Sequence, residues 1–491
     1  MLTARWLGGL LALLLTLAVA ACGEGSGGAG SSGSEAARFL PGSVPFFATL
    51  ATDFESDQWQ AAQDLIERFP SGRQALEELP EGALGPEVAF AVLDLDSSQE
   101  EPPIVLVANP DDPAAFEREL GASDDVPVWR QEEGGWYVVA DTQATLDRVA
   151  EGATAGSLAD DEGFETSLAE LPDDALARFY VDGAALTKAV AAAAPESGSV
   201  DPAAQGGPQL ETVAVAIQAE EAGIRVDGVA RIAGELEAQA FSLTLDSLVP
   251  EDALVYVAFA DVRSSLQSFL DQAAAAGGED AAEALPLAGA LLGVDLQEDL
   301  LPLFAGEHAL FIRAGAPVPE VTLILSPDDP EAGLATIDKL IAGLPALAES
   351  AGDESPFTTT DTTIAGVQVK TVDFVDEDVS LSYALVNDRI VLSTQPKGIA
   401  DVASGSGSLS DDPLYSEALS AAGPAAETTG LLFVNLEEAS SLLESLGSVA
   451  GADAEALPLE ALEGLDALRY LLVSGSAEQS EVRFAGFLAI E

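Results

Sequence analysis

The segment Asn109-Pro110-Asp111-Asp112-Pro113-Ala114 returns as Ser326-Pro327-Asp328-Asp329-Pro330-Glu331, 217 residues later. Each follows two short apolar runs, 87–93 and 103–108 in the first instance and 307–312 and 321–325 in the second. A plan written twice constrains a fold more than composition does, because each copy must bury the same faces in the same order. Three further landmarks agree. Upstream, the apolar run 44–50 reaches Asp53 and then a helix-period stretch over 59–69, as 254–259 reaches Asp261 and a helix-period stretch over 262–273. Downstream, Ser157-Leu158-Ala159-Asp160-Asp161 matches Ser408-Leu409-Ser410-Asp411-Asp412 at an offset of 251, so the second copy carries about 34 extra residues, placed around 277–294 and 350–363. Last, 177–182 matches 430–435, each leading to a helix and a closing hairpin over 213–232 or 470–490.

The spacing predicts two tandem copies, residues 39–235 and 246–491, each reading β-α-β-β-α-β-β-α-β-α-β-β. Hairpins between successive strands make the expected class α+β, with largely antiparallel sheets covered by helices. The β-α-β-β-α-β opening allows a ferredoxin-like start to each copy.

Residues 1–38 are of another kind. Arg5 and the amino terminus precede sixteen uncharged, mostly apolar residues, 6–21, which end in small side chains as a secretory signal does. That run falls short of the ~20 residues of a spanning helix and gives way to a Gly/Ser-rich stretch. Val19-Ala20-Ala21-Cys22 resembles the lipobox of bacterial lipoproteins. The resemblance implies cleavage between Ala21 and Cys22, diacylglycerol on the Cys22 sulfur and acylation, for instance by palmitate, of the new amino group. Residues 1–21 are then a signal peptide and 22–38 a lipidated cysteine with a flexible linker. The expected location is extracytoplasmic, anchored to the cell membrane, the membrane being a partner through Cys22 alone. Cys22 is the only cysteine of the 491 residues, so no disulfide forms within the chain.

Nineteen Lys and Arg face 84 Asp and Glu, a formal charge of −65. Phosphate recognition runs on clustered Lys and Arg, so nucleic acid is excluded as a partner. The acids are dispersed, as on a solvated surface.

Several residues invite a chemical reading. Asp111, Asp112, Asp328 and Asp329 could bind a metal, but Asp112 and Asp329 precede Pro113 and Pro330 as N-caps precede a helix with proline in its first turn. Asp161 and Asp412 repeat the pattern, and Asp53, Asp182, Asp261 and Asn435 stand where a strand yields to a helix. Asp373, Asp376, Glu377 and Asp378 form the densest acid cluster of the second copy, without the spacing of a calcium loop, and read as a charged turn. His308, the single histidine, lies in an apolar strand-like run, and no nucleophile elbow exists to accompany it. Trp129 and Trp136 flank a hairpin turned by Gly134-Gly135 and are expected to meet as a cross-strand pair, with Trp59 in the core. No Walker loop, dinucleotide-binding glycine motif or Cys-x-x-Cys is present, and no cofactor is expected.

The order of elements, the Leu-Pro or Val-Pro opening of each copy and the lipoprotein start together resemble the bacterial domain-of-unknown-function 3352 family. That resemblance implies the fold grouping and no activity or site. The expectation is a non-enzymatic envelope protein that binds a protein or small-molecule partner or serves as a structural accessory. The alternative is a carboxylate-dependent hydrolase acting on envelope glycans, which needs two acids about 5–10 Å apart in one cleft.

Overall fold

The computed structural model describes residues 35–69, 84–95, 102–121, 127–193, 209–234, 239–263, 266–267, 289–290, 292–315, 318–351, 357–374, 380–405, 407–423, 427–438 and 465–491. The chain is α+β and divides into two compact units, Met1–Leu236 with Ala477–Glu491, and Glu237–Ser476. The signal, Ala21, Cys22 and nearly all of the linker lie outside the described residues, as do Asp376, Glu377 and Asp378.

Unit 1 contains β1 (Phe46–Ala51), β2 (Glu87–Val92), β3 (Ile104–Ala108), β4 (Val128–Gln131), β5 (Tyr137–Ala140), β6 (Ala177–Asp182), β7 (Gln209–Glu220) and β8 (Gly223–Ala233). Its helices are α1 (Asp57–Ile66), α2 (Pro113–Gly121), α3 (Gln143–Ala155), α4 (Glu162–Ala169) and α5 (Gly183–Ala193). The strands lie in the order β4-β5-β3-β2-β1-β6-β7-β8, and all neighbours are antiparallel. β1 and β2 each bury four consecutive residues, which a strand does only when both faces of its sheet are covered. On one face Phe47, Val107, Val138, Tyr180, Ala214 and Val229 pack with Leu146 and Val149 of α3 and Phe164 and Leu168 of α4. α1 packs against β7 with Trp59, Ala62 and Leu65 buried, its Trp59 indole N–H donating to the Ala51 carbonyl at 2.5 Å.

One strand of unit 1 comes from the far end of the chain. β18 (Glu481–Ile490) runs antiparallel to β8 over nine residue pairs, from Glu481 opposite Arg231 to Ala489 opposite Gly223. Backbone bonds fasten both of its ends, Ile232 N–H to Ser480 O at 2.8 Å and Ile490 N–H to Ala222 O at 2.9 Å. Glu170, the C-cap of α4, accepts from both Arg231 and Arg483, and Arg231 lies 3.3 Å from Glu481. Phe487 is buried, and the ring of Phe484 fills the space above Gly228, where a Cβ would come within 2.3 Å of it. Only glycine allows that contact.

Unit 2 contains β9 (Val255–Ala260), β10 (Glu307–Arg313), β11 (Glu320–Leu325), β12 (Phe357–Ile364), β13 (Val367–Phe374), β14 (Ser380–Val386), β15 (Arg389–Ser393), β16 (Gly430–Asn435) and β17 (Leu468–Glu478), with α6 (Pro330–Ala351), α7 (Pro396–Ser404) and α8 (Pro413–Ala422). The order is β12-β13-β14-β15-β11-β10-β9-β16-β17, again antiparallel throughout. Leu303, Leu325, Ile337, Val372, Tyr383 and Ile390 form one core cluster. Tyr415 of α8 meets Tyr256 and Phe433 edge-on.

The order β5-β3-β2-β1-β6-β7 in unit 1 is thus the order β15-β11-β10-β9-β16-β17 in unit 2. The hairpin β12–β13 stands between α6 and β14, where unit 1 passes from α2 to β4. The ferredoxin-like start does not form. That motif needs a parallel pair across the first helix crossover, and here β2 returns antiparallel beside β1.

Candidate functional site

The acids at strand-to-helix passages end at backbone amides. Asp112 accepts from Ala114 N–H at 3.1 Å and Ala115 N–H at 3.0 Å, and Asp329 accepts from Ala332 N–H at 3.0 Å. Asp161 takes Phe164 N–H at 2.8 Å, Asp182 takes Ala185 N–H at 2.8 Å, and Asp412 takes Leu414 and Tyr415 N–H at 2.5 and 3.1 Å. These carboxylates satisfy amides that the first helical turn leaves without partners. Asn435 holds Glu438 N–H at 3.3 Å in the same manner. Two acids differ. Ser56, not Asp53, caps α1, while Asp53 accepts from Glu55 N–H at 3.1 Å. Asp261 has φ 41° and binds the Arg263 guanidinium through both oxygens, which holds its carboxyl below the usual range. Asp373 is exposed on β13. Among the described residues, no three His, Cys, Asp or Glu side chains gather where they could hold a metal ion.

His308 is fully buried in β10, its ring 5.3 Å from that of Phe259 and 6.1 Å from that of Phe304. Ser326 N–H points at Nδ1 from 3.4 Å, and Nε2 has no hydrogen-bond partner. Burial lowers its pKa, against weaker raising influences from the Phe304 backbone, Glu307 and Asp261. A neutral ring in an apolar setting is poorly suited to proton transfer with solvent.

The tryptophans do not pair. β4 and β5 form the expected hairpin, with Gly134 and Gly135 at positive φ, but Trp129 faces Val139. Trp136 lies beyond the ladder and packs on Phe39, ring centroids 5.7 Å apart. Glu132 N–H closes the turn on Trp136 O at 2.7 Å, and Trp136 directly follows Gly135 whereas Trp129 lies well before Gly134, so the two indoles stand at unequal distances from the turn and cannot face each other across it.

Two buried charge groups escaped sequence reasoning. Arg313, at the end of β10 and 3% exposed, donates to Glu320 at 3.0 Å through Nε, to Asp252 at 2.9 Å through Nη1 and reaches Asp401 at 2.8 Å through Nη2. Burial alone would lower its pKa, but its bonds to Glu320, Asp252 and Asp401 more than reverse this. Thr322 and Ser393 share a hydrogen bond of 2.8 Å beside Glu320. Gly398 of α7 leaves room for all three, since a Cβ there would lie 2.4 Å from both hydroxyls and 2.9 Å from Glu320 Oε1. In unit 1, Asp227 on β8 is 4% exposed, with Arg225 at 3.8 Å, and burial pushes its carboxyl up to about 6. Alternation along a strand marks a residue as inward-facing, but only the fold brings Arg313 to Asp401, 88 positions on.

The edge of unit 2 differs from these interior groups. β12 reads Phe-Thr-Thr-Thr-Asp-Thr-Thr-Ile, and its six middle residues are exposed on both faces. Among the described residues it pairs with β13 alone.

A family model described as "Protein of unknown function (DUF3352)" matches residues 133–489. None of the curated proteins compared matches the chain. Among solved structures, crystal form IV of TP0453 is 11% identical, covers 40% of this chain and 81% of its own, and has a TM-score of 0.23. Crystal form III of TP0453 is 9% identical over 43% of this chain and 90% of its own, with a TM-score of 0.25. Likeness at this level carries no functional inference.

Proposed function

Because the chain belongs to the DUF3352 family of proteins of unknown function, we propose a role in binding and not in turnover: an extracytoplasmic, lipid-anchored accessory protein of the bacterial cell envelope that binds a partner through a duplicated α+β body. The observation that carries the binding reading is the placement of the acids. Asp112, Asp161, Asp182, Asp329 and Asp412, the carboxylates that stand out in the sequence, are engaged at helix starts. Glycan hydrolysis by paired carboxylates would need a carboxyl of raised pKa beside a second acid in a cleft. Asp227 has a raised pKa but lies buried beside Arg225, and Asp246, raised by burial and by the charge of Glu307, has a neighbour already engaged, since Glu307 accepts from the Thr244 and Leu245 amides at 2.8 and 3.0 Å.

The lipobox-like Val19-Ala20-Ala21-Cys22 supports the anchor, and among the described residues no helix is long and apolar enough to cross a membrane. A diacylglycerol with a third acyl chain gives the stable attachment that a single chain does not. The shared strand order of the two units supports duplication.

Two measurements test this reading. Cys22→Ala should leave the protein unprocessed or free of the membrane fraction and unlabelled by radioactive palmitate; membrane retention equal to the parent's would contradict the anchor. The purified full chain, incubated with envelope glycans, should release no product. Product release that a single Asp or Glu substitution abolishes would overturn the binding role.

A further inference from the structure

We propose that the outer edge of β12 is a docking site for an extended polypeptide segment carrying lysine or arginine, which adds to the sheet of unit 2 as a further strand. The inference rests on the binding role proposed above and names its surface and the chemistry of its partner.

A free strand edge presents unpaired N–H and C=O groups, and proteins ordinarily blunt such edges with charged side chains, lysine above all, with proline, a bulge or shortness. Of these β12 has only the single charge of Asp361. It is eight residues long, pairs with β13 in unbroken register, contains neither Lys nor Pro, and is rich in threonine, which suits a strand. Exposure of Thr358 through Thr363 on both faces leaves room above and below for the side chains of an added strand.

The hydrogen-bonding phase of the edge follows from its turn. Ala365 and Gly366, at φ 50° and 83°, close a two-residue hairpin in which Ile364 and Val367 form the hydrogen-bonded pair next to the loop. Hydrogen-bonded and non-hydrogen-bonded pairs then alternate, so Thr362, Thr360 and Thr358 turn their backbone groups toward β13. Thr363, Asp361 and Thr359 turn theirs outward. The side-chain bond from Gln368 to Thr363 Oγ1, 2.8 Å, fits their place as directly opposed neighbours.

Charge selects the occupant. Asp361 is the one charged residue of β12, at the centre of the outward-facing set. Its cross-strand neighbour Lys370 gives its ammonium group to Asp338 at 2.6 Å, and Asp361 has no hydrogen bond or ion pair among the described residues. An incoming strand with a cation opposite Asp361 gains a cross-strand pair of opposite charge. A second copy of this chain would bring a body of formal charge −65 against its like, so a basic segment is favoured over self-pairing.

The test uses the full chain in detergent and two fluorescein-labelled heptapeptides, Thr-Val-Thr-Lys-Thr-Val-Thr and its twin with Glu at the centre. Fluorescence anisotropy should show the Lys peptide binding at least about tenfold tighter, and hydrogen exchange should slow at 359, 361 and 363. Thr359→Pro with Thr363→Pro removes two outward N–H groups and no ladder bond, and should weaken binding at least about tenfold at an unchanged melting temperature. Asp361→Lys keeps the backbone edge and should invert the preference between the peptides. Equal binding by the proline variant, or protection elsewhere, would show general attraction to an acidic body and overturn the proposal. A concentration-dependent dimer that the prolines dissolve would make the occupant a second copy and overturn it equally. Neither result would bear on membrane release by Cys22→Ala.

Discussion

The two units treat their long strand edges in opposite ways. In unit 1 nine of the eleven residues of β8 are paired by the last strand of the chain, which two arginines and Glu170 fasten in place. In unit 2 the six middle residues of β12 stand bare on both faces. Covering β8 takes a segment that begins some 250 positions later in the sequence, whereas a single lysine or proline in β12 would have closed that edge to strangers. The contrast separates an edge that serves stability from one that is left accessible, and it can be broken at either end.

The largest effect is expected from removing 481–490. Apart from Trp6 in the expected signal peptide, the tryptophans of the chain are Trp59, Trp129 and Trp136, all in unit 1, so indole fluorescence of the processed protein reports that unit. Truncation should lower or abolish its cooperative unfolding transition, and Phe487→Ala, a buried aromatic reduced to a methyl, should cost about 3–5 kcal/mol in the same signal. A tryptophan transition indifferent to both would contradict the placement of β18.

Arg313→Ala makes the matching attack on unit 2. It leaves Glu320 buried without its cation and should cost about 3–5 kcal/mol. The loss should appear in far-ultraviolet circular dichroism with little change in the tryptophan transition.

One buried titratable group in each unit should respond to acidification with opposite sign. Asp227 binds its proton at about pH 6 when folded and near 3.8 when unfolded, so its contribution to stability grows as pH falls from 6 toward 4. Asp227→Asn should accordingly raise the stability of unit 1 at pH 7 by about 2–3 kcal/mol. His308 has a folded pKa below its unfolded value, so stability present above ~6.5 is lost as pH falls from there toward the folded pKa, by at most ~1.4 kcal/mol per pH unit. His308→Phe should flatten that slope. The smallest change is expected from Asp412→Ala, about 1 kcal/mol for a lost helix cap.

Local chemistry was legible in the sequence where a few adjacent residues decide the outcome. The Asp-Pro pairs announced helix starts, and apolar runs such as 87–93 and 321–325 announced strands, because capping and strand periodicity act within a turn or two. Partners distant along the chain were not legible. Nothing in Glu481-Val482-Arg483 says that it will lie on Arg231, and nothing in the alternation of β10 says that Arg313 will meet Asp401. The pairing expected of Trp129 and Trp136 failed on their unequal distances from the Gly134-Gly135 turn. The bareness of β12 was invisible as well, since a threonine-rich strand reads alike whether a neighbour covers it or not.

Hydrogen–deuterium exchange on the full chain, resolved to single amides, tests the central contrast most directly. The account predicts slow exchange throughout 223–233, including the amides that face β18, and fast exchange at 359, 361 and 363 beside protected 358, 360 and 362. Fast exchange along β8, or protection of all six β12 residues without an added peptide, would contradict it.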